Sequence, residues 1–388
     1  MIPNSTQTLE VQSNLVGEAT QFGVDHASLA KIMGVLTNLY TDPEGAVVRE
    51  YLTNALDSQI EAQEKDPNYV WRPIEVSTPS HFTKEYKVRD FGTGMSAKDL
   101  HEIYSKYGKS TKEQSNAVTG MLGLGSKCAL TYTGQFTVTG WKDGKRTRAI
   151  ITKDARGVPS FTIVDERDST DPSGVEISVP VRDRNTFEEK TRQFLRWWEP
   201  NQVLVNGAEP TPHGHTLITN DPMTFTINGK QVTAKVPVYH IDDAGRGYGS
   251  PQSYVVMGNV PYAVNAEHID RSLQEINSGI VAYVPMGAVE FPPSREELTY
   301  TPATVEVIKK VSKGLFQKIL DNKVAEITNA PDHKTAWVRY HNLGYAFTKH
   351  TRSMSIKYKG LDFTGNFQHA HQSLNWDWQG HGNTTERQ

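Results

Sequence analysis

The residues of this sequence best suited to chemistry are Glu50, Asn54 and Asp57, which lie four and three positions apart. That spacing places them on one face of a helix predicted from about Pro43 to Gln63, opposite an apolar stripe. A carboxylate can orient or deprotonate an attacking water, and an asparagine oxygen one turn later is a suitable ligand for Mg²⁺. For a lone helix a solvated polar face is the commoner explanation, so the decision rests on the rest of the chain.

Two glycine-rich segments, Asp90–Met95 and Gly120–Lys127, add a second kind of chemistry. The first follows a predicted strand, and the second precedes a predicted helix. Backbone N–H groups of glycines before a helix can approach phosphate oxygens, and the helix dipole adds positive potential there. A buried aspartate can accept a hydrogen bond from an exocyclic amine, which favours adenine. Together with the polar helix face, these segments predict a nucleotide site.

The glycine spacing excludes two better-known nucleotide motifs. A P-loop requires a lysine followed by serine or threonine, but here Ser126 precedes Lys127. A dinucleotide-binding fold requires G-x-G-x-x-G, and the segment Gly120–Gly125 has the reverse spacing.

Positioning these residues requires layered helices and strands, which the pattern of the first half predicts. Ser96 is a good N-cap with Asp99 three residues later, so a helix is expected to follow the first glycine segment. Asp143-Gly144 is typical of a hairpin turn between antiparallel strands. The predicted strands are Pro73–Thr78, Tyr86–Asp90, Gln135–Trp141, Arg146–Thr152, Ser160–Val164 and Val175–Val181.

The chain changes character near residue 200, after a helix with an expected capping box of Thr186 and Glu189. Beyond it, Asn228-Gly229 predicts another hairpin and Ile280–Pro285 a buried strand. Apolar spacing predicts one long helix over Thr301–Val324. We therefore predict domains at 1–200 and 201–328, followed by a C-terminal tail or the start of a further domain at 329–388.

Composition limits the class of protein and its surroundings. The 388 residues include 44 acidic and 41 basic side chains, so no strong global field favours nucleic acid or anionic lipid. The single cysteine, Cys128, fits a reducing compartment. No apolar run approaches the roughly 18 residues that cross a bilayer, and no signal-peptide core is present at the N-terminus. We expect a cytoplasmic protein.

The order and spacing of the three segments resemble the nucleotide boxes of the GHKL ATPases, the superfamily of DNA gyrase, ninety-kilodalton heat-shock chaperones, mismatch-repair clamps and histidine kinases. The resemblance is carried by Glu50-x-x-x-Asn54-Ala-x-Asp57, Asp90-x-Gly92-x-Gly94-Met95 and Gly120-x-x-Gly123-x-Gly125. It implies an α+β protein with a Bergerat-type ATP-binding α/β sandwich, followed by a transducer-like α/β domain. ATP and Mg²⁺ are the implied ligands.

Four segments are similar to one branch of this superfamily, the phage rapid-lysis RIIA-like proteins, over about residues 40–325. They are Ala46–Glu50, Gly120–Lys127, Gly174–Pro180 and Pro293–Glu296. This similarity implies a protein of the infected bacterial cytoplasm that is linked to lysis timing and to overcoming host exclusion. Any membrane association would come through a partner. It also implies an ATP-dependent homodimer and an unknown phage or host partner.

The resemblance assigns a role to each matching residue. Glu50 would be the general base, Asn54 the Mg²⁺ ligand, and Asp57 a neighbour of the base and the ribose. Asp90 would bind the adenine amine. The adenine side would also include Gly92, Gly94 and Met95, and the phosphate cradle Gly120, Leu122, Gly123, Leu124, Gly125, Ser126 and Lys127. A lid over Lys109–Thr119 would bring Lys109 or Lys112 to the phosphates.

Two assignments stay open at this point. The fourth box of the superfamily usually has a Gly-Thr pair, whereas Gly174 is followed here by Val175. Ser173 is the candidate replacement for the missing hydroxyl. Arg295 matches the arginine that a chaperone middle domain lends to the γ-phosphate, and a structural surface arginine is the alternative.

Four functions are therefore considered. The leading one is an ATP-driven conformational switch of the RIIA-like kind, slow in hydrolysis and dimerising when its lid closes. A topoisomerase- or repair-like DNA clamp would need a basic inner surface, which the near-neutral charge does not indicate. A histidine-type protein kinase would not normally carry a hydrolytic glutamate at Glu50 and would need a phospho-acceptor helix. A nucleotide-gated scaffold without turnover remains the non-enzymatic alternative.

Overall fold

The computed structural model describes residues 40–104, 125–154, 157–241, 252–275, 279–341, 343 and 356–362. Within these ranges, helices pack on two larger sheets, each with an apolar core of its own. The predicted α+β class, an α/β sandwich followed by a further α/β domain, is confirmed. No helix in the described part of the chain is both long and apolar enough to cross a membrane.

The first sheet is built from seven strands. They are β1 (Ile74–Ser77), β2 (Glu85–Arg89), β3 (Gln135–Lys142), β4 (Lys145–Lys153), β5 (Pro159–Asp168), β6 (Gly174–Pro180) and β7 (Val203–Val205). Their order across the sheet is β5-β4-β3-β6-β2-β1-β7. All neighbours are antiparallel except β1 and β7, which run parallel. The end of β2 therefore lies in the middle of the sheet, next to the start of β6.

Helices pack against this sheet to form the first core. They are α1 (Pro43–Lys65), α2 (Ala97–Tyr104), α3 (Ala129–Tyr132) and α4 (Arg184–Leu195). Helices α1 and α4 contact each other, and the side chains of Leu52, Phe187 and Leu195 are fully buried. Because α1 turns its apolar side to this core, its other side is available for polar residues.

The second sheet contains five strands and is mixed. The strands of this part are β8 (Thr216–Thr219), β9 (Pro222–Ile227), β10 (Lys230–Lys235), β11 (Val238–Ile241), β12 (Ser253–Met257), β13 (Val260–Val264) and β14 (Gly279–Val284). The sheet order is β13-β12-β14-β11-β8, and β9 and β10 form a separate hairpin. The predicted buried strand is confirmed as β14. The remaining elements are α5 (Arg271–Glu275), α6 (Pro302–Ser312), α7 (Leu315–Thr328), α8 (His333–His341), β15 (Lys357–Tyr358) and β16 (Leu361–Asp362).

Local sequence signals for caps and turns are mostly confirmed. The N–H and hydroxyl of Ser96 donate to the Asp99 carboxylate at 2.9 and 2.8 Å, so the predicted capping box opens α2. Asp143-Gly144 and Asn228-Gly229 both form hairpin turns, with positive φ at both residues as a type I′ turn requires.

Two local predictions are wrong. Helix α4 is capped by Asp183, whose carboxylate accepts from the Asn185 N–H at 3.0 Å, and not by a box of Thr186 and Glu189. An aspartate placed just before the helix supplies the acceptor first, and the Thr186 hydroxyl donates to it at 2.7 Å. The single long helix expected over Thr301–Val324 is two helices, α6 and α7. The helix is interrupted at Gly314, whose φ of 71° lies outside the right-handed helical region.

Candidate active site

Helix α1 carries the three predicted polar residues, which differ in exposure. Asp42 caps it by accepting from the Gly45 N–H at 3.0 Å, and Pro43 fills the first turn, where no donor is needed. Glu50 is only 4% exposed, Asn54 is exposed, and Asp57 is partly buried. The sequence predicted one shared face, and the structure adds that Glu50 is buried whereas Asn54, in the middle of that face, is exposed.

Two arginines flank the Glu50 carboxylate. Arg49 Nε lies 3.5 Å from Oε1, and Arg295 Nη1 lies 3.6 Å from Oε2. Arg295 is 6% exposed, so it is not a surface arginine. Burial by itself would lower the pKa of Arg295, but the Glu50 and Asp57 carboxylates and Tyr262 together outweigh this effect and raise it. The site therefore contains a buried carboxylate between two fixed positive charges. One of these charges, Arg295, comes from the segment that follows β14 of the second sheet.

The segment Ser294–Glu296 holds Arg295 against α1 at three places. Arg49 donates to the Ser294 carbonyl at 2.8 Å. The Glu296 carboxylate accepts from the N–H groups of Thr41 and Asp42, both at 3.0 Å. Since these donors lie at the N-terminus of α1, the helix dipole adds to the attraction. This segment therefore binds to the same half of the helix that carries Glu50.

The glycine before α3 lies directly against the polar face of α1. A Cβ atom at Gly125 would lie 2.5 Å from Glu50 Oε2 and 3.8 Å from Asn54 Nδ2. Only glycine leaves room for the carboxylate at this point. The backbone after it is fixed by Tyr51, whose hydroxyl donates to the Ser126 carbonyl at 3.4 Å and accepts from the Ala129 N–H at 3.2 Å. The structure thus brings the first and third predicted segments together.

Asp90 occupies the other end of the polar face. Its carboxylate accepts from the N–H groups of Gly92 at 2.9 Å and Val175 at 3.2 Å, and it also bonds to the Ser58 side chain. Asp90 is 5% exposed, and burial raises its pKa to about 6 against the opposing effect of these hydrogen bonds. The carboxyl is therefore held away from water, where a further hydrogen bond has high value.

The turn after Asp90 is anchored to α1 by a residue that sequence reasoning missed. Fully buried Gln59 accepts from the Phe91 N–H at 3.0 Å and donates to the Arg72 carbonyl at 3.0 Å. A side chain at Gly92 would collide with Ser58 of α1.

Eight residues of α1 separate Glu50 from Ser58, which at 1.5 Å per residue leaves about 12 Å between the two ends of the site.

Ser173 lies beside Gly94, but its hydroxyl is engaged with the backbone. It lies 3.2 Å from the Thr93 carbonyl and 3.0 Å from the Trp141 carbonyl. Gly94 has a φ of 68° and packs on the same Trp141 carbonyl, so no side chain fits there. Met95 is partly buried against the first core. These contacts join the Asp90 turn to the strand that follows Ser173.

Lys127 serves the fold in the described structure. Its ammonium group donates to the Ile103 carbonyl at 2.7 Å, in the last turn of α2, and lies 5.5 Å from the Tyr104 ring. Burial lowers its pKa to about 8. A cation at a helix C-terminus is favourable there. The predicted residues that lie outside the described ranges are Lys109, Lys112, Gly120, Leu122, Gly123 and Leu124.

A helix lies beside a mostly antiparallel sheet, with an acid and an amide at one end and a buried aspartate at the other, and this is the arrangement that the resemblance to the GHKL ATPases implies. Residues 40–162, less than half of the chain, match the family model described as histidine kinase-, DNA gyrase B-, and HSP90-like ATPase. The match supports placing this part of the chain in that ATPase superfamily. A comparison with curated proteins found no match.

Proposed function

We propose that this protein is an ATP-driven conformational switch of the RIIA-like kind that hydrolyses ATP slowly. The observation that carries the proposal is the position of the Glu50 carboxylate. It lies between Gly125 of the glycine segment and Arg295 of the second part of the chain. A hydrolytic acid that touches both units can link the state of a bound nucleotide to their arrangement.

Each end of the polar face has a chemical task in this proposal. Glu50 would orient the attacking water and take its proton, and exposed Asn54 would offer its side-chain oxygen to Mg²⁺. The Mg²⁺ ion, when bound with ATP, would offset the charge of the phosphates. Asp90 would accept a hydrogen bond from the adenine amine. The roughly 12 Å between the two ends gives room for the nucleotide to lie along α1.

Arg295 would connect hydrolysis to domain movement. Its guanidinium is fixed by burial and by Glu50, so it presents a preorganised positive charge where negative charge develops. A terminal phosphate near Glu50 would give Arg295 a second anionic partner. Because Ser294–Glu296 also holds the start of α1, a change at Arg295 would be passed to that helix.

The biological setting in this proposal rests on the sequence resemblance alone. A RIIA-like protein would act in the infected bacterial cytoplasm, in lysis timing and in overcoming host exclusion. It would form an ATP-dependent homodimer and act on a phage or host protein. Division of the chain near residue 200 into an ATP-binding unit and a transducer-like unit is part of the same proposal.

Glu50→Gln is the decisive variant, because it keeps the shape of the side chain and removes the base. We expect ATP binding to persist and turnover to fall by roughly 10²- to 10⁴-fold. Glu64→Gln, on the exposed side of the same helix, is the matched control and should hydrolyse ATP normally. Hydrolysis by phosphate release and binding by calorimetry would be measured together, with oligomeric mass recorded with and without a nonhydrolysable analogue. Normal turnover in Glu50→Gln would exclude this residue as the base.

Arg295→Ala separates the sensor role from a structural one. We expect slower hydrolysis with little change in ATP affinity, and Arg167→Ala, at an exposed strand position, should change neither. If turnover by Arg295→Ala matches the wild type, Arg295 has only a structural role.

A further inference from the structure

Arg89 is a buried cation on the face of the first sheet opposite the core, and none of the proposed ATP chemistry uses it. It is the last residue of β2 and directly precedes Asp90. Its guanidinium carbon lies 3.9 Å from the Trp141 ring centroid and 4.8 Å from that of Phe91, and the residue is 8% exposed. Both aromatic contacts favour a flat, delocalised cation.

The hydrogen bonds of Arg89 go to the backbone of two segments of the nucleotide site. Nη1 donates to the carbonyl of Asp90, and Nη2 donates to the carbonyl of Pro172 at 2.7 Å. The side chain crosses directly over Gly174, where an added Cβ atom would collide with both Nη1 and the Asp90 carbonyl. The guanidinium therefore ties the Asp90 turn to the segment before β6.

Neighbouring carboxylates keep this arrangement electrically balanced. On the adjacent strands, Glu75 of β1 and Glu176 of β6 are the residues in register with Arg89. Burial lowers the pKa of Arg89, and Asp90 and Glu176 oppose that effect. An arginine fits here where a lysine would not, because only the planar fork can reach two carbonyls while stacked between rings.

We propose that Arg89 is a positioning residue for base selection, which holds the Asp90 carboxylate at the distance where it can accept from an exocyclic amine. This rests on the proposed ATP site. Here Val175 stands where the superfamily usually has a threonine, so a hydroxyl contact to the base is missing from that position. Val175 instead donates its N–H to Asp90, and Arg89 fixes the same two segments from behind. Discrimination by this site therefore depends on the placement of one carboxylate.

The test compares ATP with inosine triphosphate, which has an oxo group in place of the amine and the same phosphates. Affinities would be measured by calorimetry for wild type, Arg89→Lys, Arg89→Met and Asp90→Asn. We expect wild type to prefer ATP by on the order of 10- to 100-fold, the value of one hydrogen bond to a charged group. Both Arg89 variants should lose most of that preference through weaker ATP binding, with affinity for inosine triphosphate unchanged.

Arg72→Met is the matched control. The guanidinium carbon of Arg72 also lies over the Phe91 ring, 4.4 Å from its centroid, but this residue is exposed. Its hydrogen bond with Gln59 uses the backbone carbonyl, which the substitution does not remove. It should keep the wild-type ratio. Urea denaturation would show whether each variant is folded, and Arg89→Lys decides the question if Arg89→Met is not.

The outcomes separate this inference from the function on which it rests. Loss of the ratio in Asp90→Asn with an unchanged ratio in folded Arg89→Lys would overturn the role of Arg89 and leave the ATP site standing. Equal weakening of both nucleotides in the Arg89 variants would also overturn it, because a general structural role would not distinguish the bases. If wild type bound neither nucleotide, the proposed function itself would fall.

Discussion

Titration of Asp90 should make the stability of this protein depend on pH in an unusual direction. Most buried carboxyls with several hydrogen bonds have a lowered pKa, but burial dominates at Asp90 and raises its pKa from 3.8 to about 6. The native state therefore binds a proton more tightly than the unfolded chain does. Between about pH 4 and pH 6 the native state carries more protons, so the free energy of unfolding falls as pH rises.

The size of the effect follows from the same two values. A difference of about 2 pKa units corresponds to roughly 3 kcal/mol, at 1.36 kcal/mol per unit. Below pH 4 this penalty is absent, and above pH 6 it is complete. Asp90 is only 5% exposed, so solvent screens this effect little. In the proposed ATP site, an adenine amine that donates to the Asp90 carboxylate would relieve part of this penalty.

Urea denaturation of wild type and Asp90→Asn from pH 3.5 to pH 8 would measure the contribution of Asp90 to the pH dependence of the free energy of unfolding. The difference between the two stability curves should change by about 3 kcal/mol between pH 4 and pH 6, with wild type relatively less stable at the higher pH. Asp143→Asn, at an exposed turn where asparagine is equally suitable, should leave the curve unchanged. ATP affinity of wild type should fall by up to about tenfold for each pH unit below 6. A flat difference curve would refute the account of this carboxyl.

Two further predictions concern other parts of the molecule. Gly125→Ala should push the Glu50 carboxylate aside and reduce ATP turnover on the order of tenfold or more, with the fold intact. The control is Gly134→Ala, whose added Cβ has no atom within 4 Å, and it should hydrolyse ATP at the wild-type rate. Equal turnover in the two variants would show that Gly125 does not constrain the base. Burial, together with the nearby charges of His213, Arg196 and His240, lowers the pKa of His215 to about 4, so this group destabilises the fold as pH falls from 6.5 to 4. Between pH 6.5 and pH 4 the free energy of unfolding of His215→Phe should fall by about 1–2 kcal/mol less than that of wild type, a value reduced for the partial exposure of His215. The same denaturation experiment would measure it, and parallel stability curves for the two proteins would contradict this prediction.

Much of the site was predictable because it is encoded over short distances. Helical spacing placed Glu50, Asn54 and Asp57 on one face, and strand-then-glycine order placed Asp90 at a strand end. The Ser96–Asp99 box followed from the same local rules. These features depend on backbone geometry within a few residues, which residue types determine directly.

Local rules failed where two signals competed within a few residues. Asp183 caps helix α4 in place of the predicted box of Thr186 and Glu189, because its carboxylate lies nearer the start of the helix and accepts from the free N–H groups there. The periodic pattern through Thr301–Val324 continued across Gly314, since hydrophobic spacing does not register a single residue with left-handed backbone.

The sequence by itself determined the chemical groups and their order along the chain, and the tertiary structure decided which charges meet. Arg49, Arg89 and Arg295 are equivalent as letters, yet one binds the Ser294 carbonyl, one ties Asp90 to Pro172, and one faces Glu50 from 245 residues away. Electrostatic contacts act through space and depend on burial, which the order of residues does not express. The resemblance had suggested that Arg295 reaches the γ-phosphate, but its contact with the Glu50 carboxylate became visible only when the two parts of the chain were packed together.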